Sequence, residues 1–171
     1  LKDMLFFIGG IQVDMFGNSN MIGAGGSYPK LAFRGPGAIG TTTFTSYADR
    51  FFIILNSHDQ RTLVPGCDFI SCVGYGQGGG RSREELGLPG GGPKYCITPL
   101  AIMDFEEESK KMRLKHLHPG VSLEKVVDNT GFELIIPDRV ETTPEPLAEE
   151  LAILRQRVDP RGLLARSDSG E

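Results

Sequence analysis

Apolar residues follow two different patterns along this chain, and the change comes near Lys94. Before Lys94, short continuous apolar runs at residues 4–8, 50–55 and 67–73 are separated by glycine-rich turns. A continuous apolar run of this length is typical of a strand that is covered on both faces. The stretch 38–49 follows a glycine turn and is predicted to be a helix. The first half therefore predicts a buried sheet that includes a turn–helix–strand unit.

After Lys94 glycine is rare, and the chain predicts strands that are joined by a charged turn. Residues 95–98 and 100–105 are predicted to be strands, and residues 112–118 return as an alternating strand after the charged turn 106–111. Strict alternation is typical of a strand with one buried face. Because the last two runs flank a polar turn, they predict a β-hairpin.

Two helices are predicted further along the chain from their capping residues. Ser122 is expected to cap a helix over residues 123–129, which Gly131 closes in a left-handed conformation. Thr143 is expected to cap a second helix, with Pro144 at its first position. The apolar side chains that share one face of this second helix are Leu147, Leu151 and Leu154.

Composition limits the class of protein. The chain has 171 residues and a mass of 18.6 kDa, which fits one domain. Its net charge of -4 argues against a surface that neutralises nucleic-acid phosphates, and no apolar run is long enough to cross a membrane. Its 3 cysteines form no Cys-x-x-Cys pair, so they indicate neither a disulfide framework nor a zinc site. We therefore expect a soluble, cytoplasmic domain that binds neither nucleic acid nor a membrane.

The segment with the strongest indication of chemistry is the glycine loop 35–40, between a short strand and the predicted helix. A tight glycine turn can direct several backbone N–H groups at a phosphate, a carboxylate or a developing oxyanion. The loop is not a P-loop, because no Gly-Lys-Ser/Thr follows it. The alternative is a plain tight turn without a ligand.

A second glycine-rich loop, residues 76–92, carries Arg81 and Arg83. Loops of this length inside a compact domain are often functional. The functional interpretation is a lid or a contact surface, in which one of the two arginines meets a phosphate or a carboxylate. The alternative is a solvated linker.

The sequence predicts no metal site and no catalytic triad. His116 and His118 alternate along a strand and so share a face, but no third ligand is arranged near them. His58 follows an apolar strand, beside Asp59 and Arg61. We interpret His116 and His118 as packing or surface residues.

Several separated motifs, in their order along the chain, resemble the class I CoA-transferase family, and most closely its B subunit of the glutaconate CoA-transferase type. These motifs are FFIGGIQVDMFGNSNMIG, YPKLAFRGPGA, RFFIILN, CDFISCVGYG, GLPGGGP, LAIMDF, KMRLKHLHPGVSLEKVVDNTGFEL and VDPRG. The resemblance implies an α/β fold with a mostly parallel central sheet and flanking helices. It also implies a partner A subunit of similar fold, with the active site at the interface between the two subunits.

The resemblance further implies transfer of CoA between an acyl-CoA and a carboxylic acid through a glutamyl-CoA intermediate. CoA enters as part of the substrate, and neither a metal nor a permanently bound cofactor is implied. Gly35, Gly37 and Ala38 fall where the family has a Gly-x-Gly-Gly turn beside the reacting carbonyl, so backbone oxyanion contacts are expected there. Ala38 replaces the last glycine of that turn. The substrate-binding residues expected at the rim of the site are Gly78, Gly79 and Arg81.

The sequence departs from the family pattern at the nucleophile. The catalytic glutamate of the family lies in a Glu-Ser-Gly or Glu-Asn-Gly turn near the N-terminal third of the B subunit. No such turn is present in this sequence. We therefore expect residues 1–171 to form a single B-type domain that lacks the N-terminal part of the full subunit.

Two alternative functions follow from this departure. Some relatives without the glutamate act as hydrolases that open the ring of a cyclic diketone acyl-CoA in steroid breakdown. The stretches RGPG, TSYAD and SCVGYG resemble those relatives somewhat more than they resemble glutaconate transferases. The other alternative is a non-catalytic beta subunit that shapes the CoA channel and holds its partner.

Overall fold

The structure is a computed structural model that describes residues 3–76 and 81–164. The strands of this part are β1 Leu5–Ile8, β2 Gln12–Val13, β3 Ser19–Asn20, β4 Gly23–Ser27, β5 Lys30–Arg34, β6 Arg50–Ile54, β7 Pro93–Ile97, β8 Ala101–Phe105, β9 Met112–Leu117 and β10 Glu141–Thr142. Its helices are α1 Thr41–Tyr47, α2 Leu123–Asp128 and α3 Ala148–Ile153, and a π-helical turn, Leu154–Val158, continues α3. None of the helices described is long and apolar enough to cross a membrane.

Six strands form the central sheet, in the order β1–β6–β7–β8–β9–β10. Three of its five pairings are parallel, namely β1 with β6, β6 with β7, and β9 with β10. The pairings of β7 with β8 and of β8 with β9 are antiparallel. Strands β2 and β3 pair with each other, as do β4 and β5. The predicted α/β fold with a mostly parallel central sheet is therefore confirmed.

One face of the central sheet carries the hydrophobic core. Phe51 and Ile53 of β6 have no exposed surface and alternate with residues that point to the other face. Helix α1 packs against β1, where Phe44 stacks on Phe6 with ring centroids 4.6 Å apart. The core residues contributed by the neighbouring strands include Ile8, Cys96, Ala101, Met103, Met112 and Leu114.

The opposite face of β1, β6 and β7 is also apolar but remains open to solvent. Leu5, Phe7 and Ile54 are 44%, 53% and 44% exposed. The rings of Phe7, Phe52 and Tyr95 lie side by side across the three strands, with successive centroids 5.3 and 5.4 Å apart. Parallel strands are normally covered on both faces. The sheet therefore presents a contiguous apolar surface in the part of the chain that is described.

The two halves of the chain differ in how well the pattern predicts the strands. The hairpin predicted after Lys94 is confirmed as β8 and β9. The strand predicted at 67–73 is wrong, because this segment makes only an isolated bridge between Cys72 and Ser19. The N–H groups of Ser71 and Cys72 both donate to the Ser19 carbonyl, at 3.0 Å each, which interrupts a regular ladder.

The helix caps were predicted correctly at one of three positions. Ser122 caps α2, and its Oγ accepts from the Lys125 N–H at 3.2 Å. Thr143 does not cap the next helix, because this helix begins further along, at Ala148, with Leu147 as its N-cap. The Thr143 hydroxyl is instead hydrogen-bonded to His118 Nδ1 at 3.0 Å. Gly131 is not left-handed. A glycine is required there because an added Cβ would lie 2.3 Å from the Leu63 carbonyl oxygen.

Candidate active site

A crevice of about 600 Å³ opens at the carboxyl ends of β1 and β6. Its walls are the segment that follows β1, the segment that follows β6, and the hairpin β4–β5. The residues that line it are Gly10, Ile11, Gln12, Ala24, Phe33, Ser57, Asp59, Arg61 and Thr62. In α/β sheets, ligands bind in the crevice outside the carboxyl ends of the parallel strands. Its place in the fold therefore makes this crevice the candidate substrate site.

Asp59 and Arg61 are the charged residues of the crevice. The Asp59 Oδ1 accepts from the N–H groups of Arg61 and Thr62 at 2.9 Å each. Partial burial opposes ionisation of Asp59, but these backbone donors outweigh it and hold the pKa of the carboxyl below its ordinary value. The Arg61 Nη2 lies 3.7 Å from Asp59 Oδ2, and its side chain is 93% exposed. Arg61 therefore presents its guanidinium to the crevice with only a loose ion pair.

Gln12 and a pair of hydroxyls complete the polar lining. The Gln12 Oε1 accepts from Asn20 Nδ2 at 2.6 Å and from the Asp68 N–H at 3.0 Å. These two donors fix the amide so that its Nε2, a double donor, has no acceptor among the residues that the structure describes. The hydroxyls of Ser57 and Thr62 lie 2.8 Å apart and bond to each other.

The glycine loop leads from β5 to α1, as predicted, and it adopts a backbone that only glycine tolerates well. Gly37 and Gly40 have φ angles of 88° and 86°, and Ile39 between them has a φ of 48°. An added Cβ at Gly37 would meet nothing within 4 Å. The requirement for glycine at this position is therefore conformational and not steric.

Two of the three predicted oxyanion donors are already used within the fold. The Gly35 N–H donates to the Ile22 carbonyl and the Gly37 N–H to the Met21 carbonyl, at 2.8 Å each. No group in the described part of the chain accepts from the Ala38 N–H. Of the three N–H groups predicted to contact an oxyanion, those of Gly35, Gly37 and Ala38, only that of Ala38 has no acceptor within the described residues. Its contact with an oxyanion stays a prediction.

The substrate-binding residues predicted in the second glycine-rich loop are only partly described. Gly78 and Gly79 lie outside the described residues, and Arg81 is exposed. Arg83, by contrast, is buried. Its guanidinium is bonded to the backbone, and its contact with a phosphate or a carboxylate would require those bonds to break.

Arg83 connects three separate segments through backbone carbonyls, a role that the sequence pattern did not reveal. Its Nε donates to the Gly90 carbonyl and its Nη1 to the Val73 carbonyl, at 2.7 Å each. Its Nη2 donates to the Thr45 carbonyl, at the end of α1, and to the Ser46 carbonyl at 3.2 Å. Burial lowers the pKa of Arg83 from its ordinary value. The stretches TSYAD and SCVGYG are thus joined by one side chain.

The histidines and cysteines serve packing. His58 is buried between the hydroxyls of Thr98 and Thr130, at 2.8 and 3.0 Å. His118 donates from Nε2 to the Thr98 carbonyl at 2.9 Å. Burial raises the pKa of the Cys96 thiol to about 12. Within residues 3–76 and 81–164, no three His, Cys, Asp or Glu side chains cluster as a metal site.

The sequence is similar to a known family over most of its length. The family model of Coenzyme A transferase matches residues 3–129. The chain is 42% identical over 149 residues to the B subunit of the 3-oxoadipate CoA-transferase of Pseudomonas knackmussii, a match that covers 87% of this chain and 56% of that protein. It is 36% identical over 160 residues to the B subunit of the glutaconate CoA-transferase of Acidaminococcus fermentans, which covers 92% of this chain and 58% of that protein.

A hydrolase is similar at lower sequence identity. The cholesterol ring-cleaving hydrolase IpdB subunit of Rhodococcus jostii is 29% identical over 171 residues, which covers 95% of this chain and 62% of that protein. The crystal structure of IpdAB from this organism matches with a TM-score of 0.84, and that of the A. fermentans glutaconate transferase with 0.83. These matches cover 95% and 93% of this chain and 63% and 60% of the two solved chains.

The chain thus spans less than two thirds of the length of each of these relatives. The family match over residues 3–129 includes both the crevice and the glycine loop. The predicted resemblance to class I CoA-transferases is confirmed by this match and by the identity to the two transferase subunits. This chain belongs to the coenzyme A transferase family and falls among its B subunits.

Proposed function

We propose that the chain forms part of the B subunit of a CoA-transferase, which works with an A subunit to move CoA from an acyl-CoA to a carboxylic acid. The observation that carries the proposal is the difference in identity: 42% and 36% to transferase subunits against 29% to the hydrolase subunit. Fold alone does not separate the two activities, because the TM-scores are 0.83 and 0.84. We place the enzyme in the cytoplasm, with CoA as part of its substrate.

The proposed reaction proceeds through a glutamate of the enzyme. Its carboxylate attacks the thioester carbonyl, the C–S bond breaks, and CoA leaves as a thiolate. The thiolate then attacks the glutamyl carbonyl of the mixed anhydride and displaces the first acid. The resulting glutamyl-CoA passes its CoA to the second acid by the reverse steps. Because the chain has no Glu-Ser-Gly or Glu-Asn-Gly turn, we assign the glutamate to a part of the B subunit outside residues 1–171.

Residues of this chain would position the substrate and stabilise charge. We assign the crevice at the carboxyl ends of β1 and β6 to the acyl group. The Ala38 N–H is assigned to the developing oxyanion, and Arg81, with Gly78 and Gly79, to the rim of the site. Both substrates named for the transferase relatives, 3-oxoadipate and glutaconate, are dicarboxylates. We therefore propose a dicarboxylic acid as the substrate class.

Ring-opening hydrolysis is the second candidate function. It is supported by the structural match to IpdAB, which covers 95% of this chain. A purely supporting B subunit is the third, and it requires that the A subunit alone carry the catalytic groups.

An activity assay separates the three candidates. The full B subunit is purified with its A subunit and incubated with glutaryl-CoA and acetate, and the products are analysed by mass spectrometry. A transferase gives acetyl-CoA that depends on acetate. A ring-opening hydrolase gives no acetyl-CoA and instead converts a cyclic diketone acyl-CoA to a ring-opened CoA product. A supporting role predicts that the A subunit retains activity when the B subunit is left out.

A further inference from the structure

Two side chains of the crevice, Arg61 and Gln12, have hydrogen-bond donors that the fold does not fully use. Arg61 holds its guanidinium in solvent, 3.7 Å from one carboxylate oxygen. The other oxygen of that carboxylate, on Asp59, is occupied by two backbone N–H groups. Gln12 turns its oxygen toward two donors of the fold and leaves its Nε2 without an acceptor in the described residues. A ligand that supplies anionic oxygens would satisfy both side chains.

The walls of the crevice limit which anion fits. Ile11, Ala24 and Phe33 supply apolar surface beside the two donors. A short methylene chain that ends in a carboxylate matches this arrangement, because the chain can contact the apolar wall while the carboxylate reaches a planar guanidinium. The volume of about 600 Å³ accommodates a small acyl group of this kind.

We propose that Arg61 and Gln12 bind the second, non-reacting carboxylate of a dicarboxylic acyl group, and that this contact sets the preference for dicarboxylic over monocarboxylic acids. The inference rests on the proposed transferase function. It assigns a specificity role to Gln12, which lies within the first of the family motifs, and to Arg61, which lies outside them. Asp59 positions Arg61 through the loose ion pair and through its bond to the Arg61 N–H.

The test compares two donor substrates that differ only at the far end of the acyl chain. Glutaryl-CoA ends in a carboxylate and pentanoyl-CoA ends in a methyl group. The A–B complex is assayed with each, and with acetate as acceptor, for the wild type, Arg61→Gln and Gln12→Glu. Arg157→Gln serves as the control, because Arg157 is an exposed arginine of the π-helical turn and does not line the crevice.

We expect Arg61→Gln to lower kcat/KM for glutaryl-CoA at least tenfold, mainly through KM, and to change the value for pentanoyl-CoA less than twofold. Gln12→Glu keeps an oxygen for Asn20 and Asp68 but replaces the free donor with a negative oxygen, so it should also lower the glutaryl-CoA value at least tenfold. Arg157→Gln should match the wild type with both substrates.

Three other results would overturn the inference, and the assay distinguishes each of them from the others. An equal loss with both substrates that disappears when dephospho-CoA thioesters are used would assign Arg61 to the 3′-phosphate of CoA instead. An unchanged ratio of the two substrates in both crevice variants, in complexes that keep pentanoyl-CoA activity, would show that the crevice does not select the carboxylate. A wild-type complex that transfers CoA from neither substrate would contradict the proposed function itself.

Discussion

At the scale of single residues, the most unusual feature is a buried arginine whose guanidinium donates to backbone carbonyls. Its acceptors are the main-chain oxygens of Thr45, Ser46, Val73, Gly74 and Gly90. The planar guanidinium of Arg83 satisfies these carbonyls in a fixed geometry, and two of them belong to the end of α1. The long glycine-rich loop is therefore attached to the fold at Arg83, whereas the sequence pattern allowed a solvated linker.

Replacing Arg83 by lysine should destabilise the protein substantially. Lysine keeps the charge, but its ammonium cannot reach the carbonyls of Thr45, Val73 and Gly90 together, so buried acceptors lose their donors. We expect a loss of about 2 to 4 kcal/mol in the free energy of unfolding. Urea denaturation measures it, with Arg81→Lys as the control on the exposed neighbour. Equal midpoints for the two variants would contradict this role of Arg83.

His58 predicts a dependence of stability on pH. Burial lowers its pKa below the ordinary value of 6.5, against smaller opposing effects of the Val126 backbone and Asp59. The unfolded chain therefore takes up the proton at a higher pH than the folded chain. The stability that this group contributes is complete above about pH 6.5 and is lost as the pH falls through the folded pKa. We expect Tm to fall as the pH is lowered below about 6.5.

A histidine variant isolates this contribution. Thermal unfolding of His58→Gln across the same pH range should show a shallower decrease in Tm than the wild type, whatever its absolute Tm. Parallel slopes for the wild type and His58→Gln would rule out His58 as the source.

At the scale of elements, the sequence pattern predicted strands and caps correctly where contacts between nearby residues determine the structure. The β8–β9 hairpin was predictable because two strand-like runs flank a charged turn, and only β9 alternates. Glu106 closes the turn, where its carboxylate accepts from the N–H groups of Glu108 and Ser109. The β4–β5 hairpin was not, because β4 reads GAGGS and has neither alternation nor strand-forming residues. The cap predicted at Thr143 is wrong, because the helix begins only at Ala148; the Thr143 hydroxyl is bonded to a histidine 25 positions away.

The candidate site also has one part that local sequence predicts and another part that it does not. The glycine loop could be found from its own residues, because its left-handed positions need glycine. The crevice could not, because its lining comes from segments separated by up to about fifty positions. The parallel pairing of β1 with β6 and the parallel bridge between Val13 and Leu63 bring these segments together. The use of the Gly35 and Gly37 N–H groups by Ile22 and Met21 is likewise a contact between separate segments.

Replacing Gly37 tests whether the conformation of the glycine loop matters for activity. Gly37→Val places a β-branched residue at a φ of 88°, which costs about 1–2 kcal/mol and forces the following Ala38 N–H to move. We expect roughly a hundredfold or greater loss of kcat/KM in the A–B complex with the fold retained. Gly66→Val is the matched control, because Gly66 also has open space around it but is not left-handed. Unchanged activity in Gly37→Val would mean that the loop is only a turn.

At the scale of the whole molecule, the central sheet has one buried and one open apolar face. The open face is formed by Leu5, Phe7 and Ile54 with the half-buried rings of Phe52 and Tyr95. Apolar surface of this kind binds hydrophobic dyes and favours association. The polar part of the same sheet lies at β8 and β9, where Asp104 and Arg113 form a bidentate pair at 2.8 and 2.9 Å.

The open face should dominate dye binding by the 171-residue chain. We expect the double variant Phe7→Thr, Ile54→Thr to reduce anilinonaphthalene sulfonate fluorescence by roughly half or more, because it removes two large exposed apolar side chains. Tyr28→Thr, which changes a side chain that is 71% exposed on the β4–β5 hairpin, is the control. Equal fluorescence in the double variant and the wild type would place the exposed apolar surface elsewhere.

The central claim is that this chain is part of an enzyme that carries CoA on a glutamate. Its most direct test is the intact mass of the complete A–B complex after incubation with glutaryl-CoA. We predict a CoA-sized adduct on the B subunit that disappears when an acceptor acid or hydroxylamine is added. No adduct on the B subunit, together with a ring-opened or hydrolysed CoA product, would contradict the transferase account and assign the chemistry to the partner.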